Sequence, residues 1–421
     1  MDAWPAAAVF LVTYALIALG RGHLSIVALG GALALILLGV VSQDEAFAAV
    51  DWNVIFLLAG MMVLAAILRR TGVFGWLAVR TVKLAGGDPL RLLVLLAIVA
   101  AAMSALLDNV TTVILVAPVT LYIASVLGVS PVPYLTAEIL ASNIGGTATL
   151  IGDPPNILVG SAAGLGFTDF LANMAPAAVL VFLAFLVVAI PTFRGELAAS
   201  AERREAALAI DESAFIADHR LLRLGLVVLG LTTLGFLFAS TLGQQPATVA
   251  LLGATALVVL ARLDPEELLR EIDWSTLLFF VGLFIVVEGL VATGIIGSLG
   301  RALGDATGED AIVATLGLLW LSGGISAVVN NIPYTATMIP VVGELAARGL
   351  PEEPLWWALA LGVCLGGNAT LVGASANVVV ANVAAGAGHP ISFGQFLRIG
   401  GLVVVISLAI ASVYLWLRYL S

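Results

Sequence analysis

Residues Ala141 to Gly164 read ASNIGGTATLIGDPPNILVGSAAG, an apolar segment broken at its centre by small, polar and helix-ending residues. A second copy starts at Leu365 and reads LGGNATLVGASANVVV. Gly146 answers Gly367, Thr147 answers Asn368, Thr149 answers Thr370, Gly152 answers Gly373 and Asn156 answers Asn377. Paired interruptions of this kind, at matching places in two halves, point to the midplane binding site of a secondary transporter.

Composition agrees with a chain that lives in lipid. Of 421 residues, 61% are hydrophobic and 10% charged, and the mean hydropathy is +1.14. A soluble globule carries about a quarter charged residues, so the class is a polytopic membrane protein. The net charge of -10 sits mostly in loops with no basic run, which gives no footprint for nucleic acid. A single cysteine, Cys364, excludes an internal disulfide and a thiolate cluster. The histidines, His23, His219 and His389, fall in connections. No metal or organic cofactor is expected. The N-terminus MDAWP lacks the basic region of a cleaved signal, so the first apolar run is read as a retained span.

Apolar segments long enough for about 30 Å of hydrocarbon occur at 5–20, 24–41, 53–68, 133–161, 174–192, 221–240, 246–261, 274–292, 354–385 and 398–418. Two more, at 90–127 and 311–346, carry polar tips at Asp108-Asn109 and Asn330-Asn331 and read as re-entrant helical hairpins. Such a tip is tolerated only where protein or a water-filled cavity surrounds it. The hydrophilic stretch 194–220 divides the chain into halves 1–193 and 221–421.

The halves align at a nearly constant offset. Asp51-Trp52 matches Asp273-Trp274, Gly60 matches Gly282, Gly72 matches Gly294, Ser104 matches Ser326, Asn109 matches Asn331 and Pro118 matches Pro340. One offset shared by so many positions means an internal duplication. Each half holds one hairpin, one broken helix and an odd number of crossings, so the repeats are expected to be inverted. Counting loops on that basis puts fourteen of the seventeen basic residues on the linker side, leaving Arg301, Arg348 and Arg418 on the other. The positive-inside rule then makes the linker cytoplasmic and both termini external.

The tips carry the chemistry. In SALLDNVTTV, Asp108, Asn109, Thr111 and Thr112 sit where one arm ends and the next begins, so helix-end carbonyls face one way and free N–H groups the other. The second tip repeats this with Asn330, Asn331, Thr335 and Thr337. In the broken helices, Thr147, Thr149 and Asn156 supply hydrogen bonds and Gly146 a close backbone approach. Asp153 is the second ionisable group. Asn330 stands opposite Asp108 and Ala374 opposite Asp153, so both carboxylates belong to the first half. Intramembrane carboxylates are functional by default, which makes Asp108 and Asp153 candidates to carry a coupling proton or sodium ion. Glu138 and Glu288 lie in spans, where a carboxylate snorkels or pairs. Trp356-Trp357 reads as an interfacial belt, and Glu202-Arg203-Arg204-Glu205 as a solvated helix face.

The segments SALLDNVTTVILVAPV, SNIGGTATLIGDPPN, NNIPYTATMIPV and LGGNATLVGASAN resemble the ion transporter superfamily over nearly the whole chain. Within it the branch of arsenical pumps and melanosomal P proteins, grouped with citrate-transporter-like permeases, is most similar. The resemblance implies a homodimer in which a transport domain holding both hairpins and both broken helices moves elevator-fashion against a scaffold. By position it assigns the solute clamshell to Asn109, Thr111, Thr112, Gly146, Thr147 and Asn156, with Asn331, Thr335, Gly367, Asn368, Thr370 and Asn377 opposite.

The dicarboxylate signature of the superfamily, Ser-Asn-Thr at both tips, is replaced here by Asp-Asn-Val-Thr and Asn-Asn-Ile-Pro. A carboxylate at the tip repels a dianion. Arsenite and antimonite, neutral trihydroxides at pH 7, suit a site of Asn, Thr and backbone groups. The leading expectation is proton-coupled efflux of such a small oxy-solute. Sodium/proton antiport, a di- or tricarboxylate permease and an anion channel are the alternatives. No nucleophile–base pair or nucleotide loop suggests an enzyme, so energy comes from an ion gradient or a separate ATPase subunit.

Overall fold

The chain is all-helical in a computed structural model that describes residues 3–308 and 310–421, with no strand among them. The first half runs α1 (Ala3–Ala18), α2 (Leu24–Leu37), α3 (Gln43–Ala48), α4 (Trp52–Arg70), α5 (Val73–Leu84), α6 (Pro89–Leu106), α7 (Asn109–Leu127), α8 (Val132–Gly146), α9 (Pro154–Ala163), α10 (Phe167–Asn173) and α11 (Ala175–Phe193). The linker holds α12 (Ala201–Leu208). The second half follows with α13 (His219–Ala239), α14 (Pro246–Ala261), α15 (Pro265–Leu269), α16 (Trp274–Ala292), α17 (Ile295–Thr307), α18 (Ala311–Ser326), α19 (Asn331–Ala347), α20 (Glu352–Gly366), α21 (Ser375–Gly386) and α22 (Phe393–Leu415). Apart from α10, each first-half helix has a second-half counterpart in the same order.

Local chemistry explains the matching starts. Asp51 accepts from the amides of Asn53 and Val54, and Asp273 from that of Thr276. Asp88 caps α6 through Leu90 and Arg91, as Asp310 caps α18 through Ile312 and Val313. An Asp cap satisfies amides that the helix leaves free, and its charge suits the helix dipole.

The halves interlock through helices that approach without side chains between them. A Cβ on Gly60 of α4 would lie 2.8 Å from the Ala250 carbonyl carbon of α14. At the matching place a Cβ on Gly282 of α16 would lie 2.5 Å from that of Ala28 on α2. Within the halves, Gly145 of α8 presses on the Ala101 backbone of α6, and Gly366 of α20 on Gly323 of α18. Without a hydrophobic drive between helices in lipid, such small-residue contacts set the packing.

Seven described helices are long and apolar enough to cross a membrane, α6 and α7 among them. Each arm of the first hairpin is thus long enough to span by itself. The structure also adds α5 and α17, amphipathic helices that a search for long apolar runs misses because Arg80, Lys83, Arg301 and Asp305 interrupt them.

Two surface expectations change. Trp356 and Trp357 are buried, their indole N–H groups bonded to Glu352 and Glu353 at 2.9 and 3.4 Å, and Trp357 packs edge-on against Phe170. They form core rather than a lipid-facing belt, because α20 is wrapped by neighbours on all sides. The linker helix is not simply solvated either. Arg204 pairs with Asp88 at 3.5 Å, Arg203 donates to the Val126 carbonyl, and Ala207 is buried. Glu212 pairs with Arg80 and Lys83 on α5, while the Ala217 amide bonds the Thr71 carbonyl at 3.0 Å.

The glycine crossings yield a direct test. Gly60→Ala and Gly282→Ala should each lower the thermal stability of the detergent-solubilised protein by about 1–3 kcal/mol, the usual cost of overpacking. Gly230→Ala, whose Cβ meets nothing within 4 Å, should leave it unchanged or slightly raised.

Candidate functional site

The interrupted helices form because their sequences allow nothing else. α8 ends at Gly146, and Pro154 and Pro155 open α9, where a missing N–H costs nothing. The turn between them folds tightly on itself. A Cβ on Gly152 would meet the Gly146 carbonyl oxygen at 2.5 Å, and one on Gly373 the Gly367 oxygen at 2.7 Å.

The freed backbone groups are collected by two asparagines. Asn156 Nδ2 lies near the carbonyls of Gly146, Thr147 and Thr149 at 3.2, 3.2 and 2.8 Å. Asn377 Nδ2 donates to Gly367 and Thr370 at 2.7 and 2.8 Å. Thr149 and Thr370 pin each turn to its own hairpin, donating to the carbonyls of Ala105 and Ala327 at 2.6 and 2.5 Å. Thr147 and Thr335 donate to carbonyls one turn back in their own helices. Their hydroxyl protons are therefore occupied, and their lone pairs remain available.

The tips meet the turns across the halves. α7 packs on α21 and α19 on α9. Asn331 Nδ2 at the second tip donates to Asp153 Oδ1 at 3.3 Å. The Asn109 amide bonds the Gly152 carbonyl at 3.1 Å, and its side chain donates to Asn143 Oδ1 at 3.1 Å. Asn143 Nδ2 reaches Asn368 Oδ1 and Asn377 Oδ1 at 2.9 and 2.8 Å, while the Cys364 thiol faces Asn156 Oδ1 at 3.3 Å. Asn143 thus links Asn109 of the first half to Asn368 and Asn377 of the second.

The two carboxylates differ. Asp153 is 1% exposed and caps nothing; its Oδ2 has no protein partner. Asp108 is half-buried and caps α7 through the Thr111 amide at 2.7 Å. Thr111 and Asn330 are also half-buried; Asn330 caps α19 through Ile332 and reaches Ser375 at 3.1 Å. Thr112 is fully enclosed. The buried polar side chains among the described residues include no Lys, Arg or His. Such a site can hold hydroxyl groups or a cation and can take up a proton; it offers no charge partner to an anion.

Sequence reasoning did not assign Asn143, Cys364 or Tyr14 to the site. Tyr14 of α1 donates to the Pro333 carbonyl at 2.7 Å and lies 2.6 Å from Thr337 Oγ1, so the first helix touches the second tip. Asn143 could have been found, because it answers Cys364 at the offset of the broken helices. Tyr14 carries no signal. A cavity of about 310 Å³ lies beside the first turn, lined by Asn53, Leu150, Ile157 and Gln244 rather than by the carboxylates.

The chain is an all-helical polytopic membrane protein with paired interrupted helices. It belongs to the Citrate transporter (CitMHS) family, whose model matches residues 14–362. An uncharacterised transporter of Mycobacterium tuberculosis is 47% identical over 98% of both chains. The human P protein is 33% identical over 97% of this chain, which spans 59% of that protein. This bears out the resemblance to the P-protein branch. Among solved structures, the YdaH transporter of Alcanivorax borkumensis has the same fold with a TM-score of 0.59 at 15% identity, covering 99% of this chain and 97% of that one. Neisseria gonorrhoeae MtrF, described as an antimetabolite efflux pump, also gives 0.59, at 13% identity, over 92% and 84%.

Because Asn143 holds two carbonyl acceptors and one amide at once, Asn143→Ala should cost about 2–4 kcal/mol from unpaired buried groups. Thermal unfolding measures it. Asn143→Asp should be at least as costly, since a carboxylate would face two amide oxygens.

Proposed function

We propose that the chain is a proton-coupled secondary transporter that expels arsenite, antimonite or a similar small neutral oxy-solute from the cell. The observation that carries this reading is the pairing of Asp153 with Asn331 across the halves, in a site with no buried cation. A neutral trihydroxide can satisfy carboxylate and amide together, and protonation of Asp153 changes which of the two it needs. A free di- or tricarboxylate would enter against two like charges with no counter-ion.

In this reading the two halves are inverted repeats, 1–193 and 221–421, and α6–α7 and α18–α19 are re-entrant hairpins. Both hairpins and both broken helices ride as one body against the scaffold built on the α2–α16 and α4–α14 crossings. The protein is a homodimer in the plasma membrane, with a cytoplasmic linker and external termini, and draws on the proton gradient rather than on an ATPase partner. Solute sits among Asn109, Thr112, Thr147, Asn331, Thr335 and Asn368. Sodium/proton exchange is the second reading, favoured by the partnerless Oδ2 of Asp153, which is a ready cation ligand.

Uptake of arsenite, sodium and citrate into proteoliposomes under an imposed pH gradient separates these. Arsenite should accumulate saturably, and Asp153→Asn should reduce gradient-driven accumulation at least tenfold. Asp108→Asn, which keeps the helix cap, should uncouple less severely. Sodium-for-proton exchange without arsenite movement would overturn the solute, and full pH-driven transport in Asp153→Asn would remove it from coupling.

A further inference from the structure

Glu138 is a buried carboxylate that the site does not use. It is 1% exposed on α8; its Oε1 accepts from Thr120 Oγ1 of α7 at 2.5 Å, and its Oε2 has no protein partner. Four other buried polar atoms of the first half have no protein partner, Ser104 Oγ and three in the site itself: Thr112 Oγ1, Asn109 Oδ1 and Asp153 Oδ2. Ser142, one turn beyond Glu138, donates to the Asn109 carbonyl at 3.1 Å, and the Asn109 amide bonds the carbonyl of Gly152, next to Asp153. Thr112 and Thr120 lie on α7 about two turns, or ~12 Å, apart. Buried polar atoms are satisfied by protein or by water, and chains of ionisable groups inside a membrane serve as proton relays.

The second half lacks the carboxylate and its hydroxyl partner, although Thr315 Oγ1 there is also buried without a protein partner. At the matching positions Val342 stands for Thr120 and Leu359 for Glu138, both fully buried. Ser326, the counterpart of Ser104, is satisfied by the Val363 carbonyl at 2.8 Å. The carboxylate and its hydroxyl partner are therefore no requirement of the scaffold, since the same packing is built without them.

We infer that Glu138 and Thr120 form a second proton-holding site, joined to Asp153 by a hydrated tract between α7 and α8, through which the coupling proton reaches or leaves the solute site. The inference rests on the proton-coupled reading above. The helices packed against α8 carry few ionisable groups: Arg91 on α6, Tyr122 on α7, Glu352, Glu353 and Cys364 on α20, and none on α9, α11 or α21. No cation among them bonds Glu138. On α8 itself Tyr134 lies one turn earlier, its hydroxyl on the Pro89 carbonyl at 3.0 Å, beside the Asp88 cap where the tract would meet the linker end.

Two measurements test this. Infrared titration of the solubilised protein should show a protonated-carboxyl carbonyl band that Glu138→Gln removes and Thr120→Val displaces in pH; no change in either variant overturns the protonation site, whatever the solute. In proteoliposomes, with arsenite as probe, Glu138→Gln should lower net pH-driven transport at least tenfold more than solute exchange. The double variant Thr120→Val/Glu138→Leu, which copies the apolar pair of the second half, should be as stable as the natural protein yet show the same deficit. Natural transport in the double variant overturns the proton route. If the infrared band behaves as expected while the natural protein shows no pH-driven transport, the protonation site stands and the coupling reading falls.

Discussion

Backbone polar groups at membrane depth must be satisfied by the protein itself, since hydrocarbon supplies no partner. Each interrupted helix frees several such groups, and one asparagine gathers them, Asn156 in the first half and Asn377 in the second. The rest of the site depends on these staples. Once its carbonyls are held, each turn folds tightly on itself and against the neighbouring helix of its own half, where Gly152 and Gly373 leave no room for a side chain. The remaining oxygens of the two asparagines are taken up across the halves by Cys364 and Asn143.

The duplicated scaffold supports an unequal pair of sites. Where the first half has Asp153, the second has Ala374, and where the first has Glu138, the second has Leu359. Asp153 is consequently met by Asn331, whereas Asn109 turns instead to Asn143. In the proposed reading both halves line the solute site, and the carboxylates that exchange the proton belong to the first half alone. All this follows from a handful of substitutions that leave the helix packing unchanged.

Much of this was legible in the chain. The helix breaks at Asp108, between Gly146 and Pro154, at Asn330 and between Gly366 and Ser375 fall within a few residues of where polar and helix-ending residues put them, because Pro154, Pro155 and the polar tips interrupt a helix wherever it packs. What escaped is non-local. α5 and α17 are too short and too charged to register as spans, and Trp357 reads as interfacial until α10 is seen covering it. The sequence marks Asn156 as polar within a span, but only the folded turn shows that its amide serves the backbone. Tyr14 reaches the second tip from more than three hundred residues away, a contact no spacing announces.

Locating the solute tests the central claim most directly. An experimental structure of the protein soaked in antimonite, with the antimony placed by anomalous scattering, should show it between the N-terminal ends of α9 and α19, within hydrogen-bond reach of Asp153 and Asn331. Antimony in the cavity lined by Asn53 and Gln244, with none at the crossing of tip and turn, would contradict the account.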